Sequence, residues 1–146
     1  MSHLDDLRRR GLLQDIAPDP TAVARLLDDA HRHLATARLA VRGSDLAGAY
    51  QLAYDAARKA CTAVLAARGL RVRGSGAHAN LILLLQELYA SAPGAEALEP
   101  LDRMRRTRNT AEYHGYPFDP AEVEEDLAAA HAIVATAADI VRPRAG

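Results

Sequence analysis

The sequence has no tryptophan, and aromatic residues make up only 4% of it. A core here cannot rest on large rings. It has to be built from Ala, Leu, Val and Ile, a composition that suits closely packed helices better than sheets. The only cysteine is Cys61, so no disulfide framework is possible within one chain. Cys61 sits in a helical apolar pattern and reads as a small buried residue, not a nucleophile. No segment is long and apolar enough to span a membrane. The stretch Met1 to Asp6 has no apolar run behind a basic start, so it is not a signal peptide. A soluble, cytoplasmic protein is expected.

Net charge is also missing: 18 Lys and Arg against 19 Asp and Glu leave −1. That excludes a basic nucleic-acid coat, and any contact with nucleic acid would have to be local. There is no Walker loop, no paired-cysteine zinc site and no Gly-x-Ser-x-Gly elbow. No Glu-x-x-His occurs, which argues against a di-metal bundle. His31 and His33 lie two apart on a predicted helix and point away from each other, a poor metal pair. No metal and no cofactor are expected. The richness in Ala and Arg fits a bacterial gene of high GC content.

What is present is helical periodicity. The 146 residues, 49% of them apolar, suffice for one core. Six helices and no strand are predicted. A short one covers about Leu4 to Arg10. The second starts at Asp19-Pro20, an N-cap followed by a residue with no N–H to leave unpaired, and runs to about Val41. The third runs from after Ser44 to Arg68, with Gly69 as its stop. Two shorter ones follow, roughly Ala77 to Ala90 and Ala95 to Glu112, and the last spans Asp119-Pro120 to about Val141.

The three long helices share one apolar spacing, steps of four, three, four, three, four. Tyr50, Ala53, Ala57, Ala60 and Val64 illustrate it. Such a seam packs nearly antiparallel neighbours. The expected fold is all-α, an up-down helical bundle of four to five core helices. Residues 1–18 form a short helix and linker, and residues 19–146 the bundle.

The chemistry gathers at Arg108-Asn109-Thr110-Ala111-Glu112-Tyr113-His114-Gly115-Tyr116. Arginine is always cationic and can grip a phosphate through two hydrogen bonds. Histidine exchanges a proton near neutral pH. Arg108 lies on the apolar stripe of Leu98, Leu101, Met104 and Ala111. An arginine there needs an anion. That anion is either Glu112 one turn on, giving a partly buried ion pair, or a phosphate at a cleft or dimer seam. His114 closes the helix before Gly115, where it meets the helix dipole or shuttles a proton. Asn109 and Tyr116 each have an ordinary structural role available beside a phosphate contact. Arg103, Arg105 and Arg106 add positive charge beside the motif. His78, at a helix start, is a candidate to face the same site as His114, which spacing alone does not show.

At these residues the sequence resembles the HEPN superfamily, whose small helical bundles carry an Arg, four to six residues, then a His. Here the pattern is Arg108, Asn109 and, after five intervening residues, His114. Ala49 to Ala60 is similar to the family's second core helix, and His78 to Ile82 to the start of its third. The resemblance runs from about Ala22 to Val141. It implies a homodimer in which two motifs meet across a two-fold seam and cut RNA without a metal. Arg108 and His114 would be catalytic, with Asn109, Tyr116 and Arg105 binding substrate. It equally implies the alternative of a non-catalytic module that binds a nucleotide, RNA or a partner protein. One branch carries His-x-Tyr, matched by His114-Gly115-Tyr116. There the protein is a toxin, and a nucleotidyltransferase antitoxin silences it by modifying the tyrosine. That branch has four residues between Arg and His, and the fifth here turns the His by about 100°.

Overall fold

A computed structural model describes residues 2–92 and 94–142. It contains α1 (His3–Arg9), β1 (Leu13–Asp15), α2 (Pro20–Arg42), α3 (Leu46–Ala67), β2 (Leu70–Val72), α4 (Ala77–Tyr89), a 3₁₀ turn (Ala95–Leu98), α5 (Pro100–His114) and α6 (Pro120–Val141). The architecture is a helical bundle, and its helix ends follow the capping residues. Asp19 and Asp119 each accept two backbone N–H bonds ahead of a proline at the first helical position. Asp45 caps α3 by accepting from the Gly48 amide at 2.9 Å.

Helix α3 is the centre of the bundle, packed against α2, α4, α5 and α6. Its expected stripe of Tyr50, Ala53, Ala57, Ala60 and Val64 is buried. So are Ala49, Tyr54, Ala56, Cys61, Ala63 and Leu65. A helix buried over most of its circumference is one that neighbours cover on several sides. Six of those buried residues are alanines, which let α2 and α6 approach closely. The opposing faces are Ala30, Leu34 and Ala37 of α2 and Leu127, Ala130, Val134 and Ala137 of α6.

Two expectations need correction. The chain does contain strands: β1 and β2 pair antiparallel, with Leu13 opposite Val72 and Asp15 opposite Leu70. Each has three residues, too few for an alternating pattern to show. The ribbon continues where Ile16 N–H donates to Gly69 O at 2.8 Å. Gly69 has φ +78°, and a Cβ there would lie 2.9 Å from that same Ile16 carbonyl, so only glycine fits. Leu7 and Leu13 join the main core, which ties the segment before α2 onto the bundle. The second correction is the fifth helix. The span from Ala95 is broken into a 3₁₀ turn and α5, because Pro100 has no N–H to continue the ladder and starts a new helix instead.

One buried charge lies in the core. Asp126 of α6 accepts from the Tyr50 hydroxyl at 2.8 Å and from both terminal nitrogens of Arg103 at 2.8 and 2.7 Å. Burial, then the bond to Asp126, raises the Tyr50 phenol far above its usual range. The Arg103 side chain is 49% exposed, so its end of the pair is wet while Asp126 is not. Asp126→Ala is expected to cost about 2 kcal/mol, the scale of charged hydrogen bonds lost from a buried acceptor. Arg103→Gln is expected to cost at least as much, because it leaves the buried Asp126 carboxylate without its cation. Thermal melting of both variants checks this, and a negligible loss in Arg103→Gln would refute it.

Candidate functional site

The site begins with the polar face of α3. Gln51, Tyr54 and Arg58 follow one another at helical spacing and turn toward α4 and α5. Arg108 comes from α5 and reaches across to that face. Its Nε donates to Gln51 Oε1 at 3.0 Å. Its Nη1 donates to Asn109 Oδ1 at 3.2 Å and lies 3.0 Å from Glu112 Oε2. The guanidinium carbon stands 5.9 Å from the centroid of the Tyr54 ring, within cation–π range. The side chain keeps 21% of its surface exposed. The Glu112 pair is therefore real, but it leaves the arginine reachable. Arg108 borders a cavity of 160 Å³ together with Tyr50, Gln51, Glu112 and Phe118.

Asn109 and Arg105 lie to the other side of Arg108. Both border a second cavity, of 320 Å³, that also includes Gly76 and His78. Arg105 Nε and Nη2 both donate to Asp102 Oδ1, at 3.1 and 3.0 Å. Arg106 also meets Asp102, at 3.3 Å, and Arg103 is committed to Asp126. The positive charge expected from four arginines is thus largely matched by acids on α5 and α6.

The remaining two candidates stand apart. His114 is the last residue of α5, exposed, and makes no hydrogen bond among the described residues. Six residues of helix place it about 9 Å along the axis and roughly 120° around it from Arg108. Gly115, at φ +72°, then ends the helix. Tyr116 donates its hydroxyl to Glu122 Oε1 at 2.8 Å, and that bond raises its phenol. Its ring packs on Phe118, which stacks on Tyr50, each at 4.7 Å between centroids. Within one chain, then, Arg108, Asn109 and Arg105 are neighbours, whereas His114 is exposed at the helix end and Tyr116 is held to Glu122 and Phe118.

The histidine that the fold does bring to Arg108 is His78. Its Nδ1 lies 3.2 Å from the Tyr54 hydroxyl, on the ring that Arg108 covers. Sequence reasoning left His78 unassigned and overlooked Gln51 and Tyr54. The spacing of Gln51, Tyr54 and Arg58, three and four residues apart on one helix, was the available signal. Burial, then the charges of Arg58 and Arg108, lowers the His78 pKa below its usual value. Among the described residues no group of three or more His, Cys, Asp and Glu is arranged to hold a metal. Among the described residues no helix is long and apolar enough to cross a membrane.

The family model for the HEPN domain matches residues 23–140, most of the chain and all of this site. The chain belongs to the HEPN family. None of the curated proteins matches it.

Cys61 is fully buried, and burial pushes its thiol up to about 12. In this HEPN protein it is expected to react with a thiol reagent only as fast as the fold opens. Labelling within minutes under native conditions would contradict that. His78 gives a pH dependence. A histidine whose folded pKa is lowered binds fewer protons than the unfolded chain, so stability is full above its unfolded value of about 6.5 and falls as pH drops below it. Melting between about pH 5 and 8 should show this loss, and His78→Gln should flatten it.

Proposed function

We propose that this protein is a metal-independent ribonuclease with a toxin or defence role, acting as a homodimer. The observation that carries the reading is Arg108: a guanidinium fixed by Gln51, Asn109 and Glu112, yet still open to solvent on a cavity. Fixed donors aimed at one place stabilise charge developing on a phosphoryl group. His114 is free at the end of the same helix, and a second copy docked about a two-fold axis along α5 would supply the histidine that one chain does not place at Arg108.

The reaction would be in-line attack of a ribose 2′-oxygen on the adjacent phosphorus. The P–O2′ bond forms and the P–O5′ bond breaks, leaving a 2′,3′-cyclic phosphate and a 5′-hydroxyl. One His114 takes the 2′-OH proton, and the second copy's His114 gives one to the departing 5′-oxygen. Arg108 holds the non-bridging oxygens, and Asn109 positions one of them. DNA, lacking the 2′-OH, is not a substrate. A nucleotidyltransferase antitoxin would act on Tyr116, after its hydroxyl leaves Glu122.

A second reading is a non-catalytic module that binds a nucleotide, RNA or a partner protein. The Arg108–Glu112 pair favours it, because a carboxylate already occupies the guanidinium. The two readings part in one assay. Parent protein incubated with RNA and a chelator is expected to leave cyclic phosphate ends. Arg108→Ala and His114→Ala should each lose about 10²- to 10⁴-fold in rate. Retained cleavage in either variant, or none by the parent, would remove the catalytic reading.

A further inference from the structure

Resting on the ribonuclease reading, we infer that His78, Arg105 and Asn109, with Arg58 behind them, form a second phosphate subsite that holds the RNA strand beside the linkage at Arg108. The 320 Å³ cavity between the Gly74-Ser75-Gly76 loop and α5 is bordered by His78, Arg105 and Asn109. A further cavity of 230 Å³ continues behind His78 to Arg58, Thr62 and Arg71. Asn109 joins the two regions, since its Oδ1 accepts from Arg108 while the residue borders the larger cavity. A strand leaving the Arg108 cavity along α5 therefore meets these groups next.

Arg58, Arg105 and Arg108 all act on both His78 and Tyr54, and each also meets one carboxylate, Asp55, Asp102 and Glu112 in turn. Asp55 meets Arg58 at 3.7 Å, a loose pair. The Nε of Arg58 is sealed from solvent and bonds no acceptor. An anion in the cavity can meet the N–H groups of the side chains that border it, His78, Arg105 and Asn109.

His78 is also set as a donor. The Tyr54 hydroxyl is buried, its phenol pushed up to about 12, and it lies 3.2 Å from His78 Nδ1. In the tautomer where the phenol donates to Nδ1, the ring carries its proton on Nε2, where it can bond a phosphate oxygen. Gly74 and Gly76, at φ +77° and +76°, keep the opposite wall to bare backbone. Gly76 caps α4 without a side-chain acceptor for the first-turn amides.

The probe is a 2′-O-methyl oligoribonucleotide, which has no nucleophile and is not cut. Its binding to the full-length protein is read by fluorescence anisotropy across a salt series. His78→Gln and Arg105→Gln are each expected to weaken it about tenfold. Arg105→Gln should also lower the salt slope by about one. Arg25→Gln, on the exposed face of α2, should bind as the parent does. Thermal melting confirms folding. If His78→Gln fails to fold, Arg105→Gln decides the matter, since its side chain pairs only with Asp102 near the surface. Should both folded variants bind like the parent while RNA is still cut, the subsite is wrong and the ribonuclease reading survives. Should no RNA be cut while binding still depends on Arg105 and His78, cleavage is wrong and the subsite stands.

Discussion

The burial of α3 on several sides constrains everything else. Alanines at 49, 53, 56, 57, 60 and 63 let the flanking helices come close. Little of the circumference is then left for polar groups. Lys59 turns to His33 of α2, and the file of Gln51, Tyr54, Asp55 and Arg58 faces the elements that carry chemistry. A polar file against a helical bundle has to be matched group for group, because each unpaired donor there is costly. Arg108, His78 and Asn109 are placed by that requirement. The core of the bundle and the geometry of the site are therefore one packing problem.

Two arginines on α5 show how matching separates structure from function. Arg103 reaches a carboxylate that is buried, and Asp126 is satisfied by it and by Tyr50. Both terminal nitrogens of Arg103 are committed to that carboxylate. Arg108 lies five residues on, and its partners are a neutral amide, a second neutral amide and a half-exposed carboxylate. These orient the guanidinium, and a phosphate can displace Glu112 without stranding a charge in the core. The difference follows from which neighbour each arginine finds, since the residue type is the same.

Much of the bundle was legible from local rules. Asp19-Pro20 and Asp119-Pro120 mark helix starts because a carboxylate and a missing N–H act within one turn. The seams of α2, α3 and α6 could be read because helical period is a property of a single segment. Arg108 stood out for the same reason, as a charge on an apolar stripe. The β1–β2 ribbon was not legible, since three-residue strands 55 or more positions apart carry no period of their own. The break at Pro100 was legible in principle, because proline cannot continue a helix.

The sequence by itself determined the helices, their buried faces, the family and the inward position of Arg108, because each depends on contacts within a few turns of one helix. Only the tertiary structure decided what meets Arg108. It set Gln51 and Tyr54 of α3 beside the guanidinium, brought His78 to the hydroxyl of the same ring, and left His114 exposed and Tyr116 bonded to Glu122. Those meetings depend on how far each helix is rotated about its axis as it packs. That rotation is fixed by the summed shape of many small side chains and by no single motif.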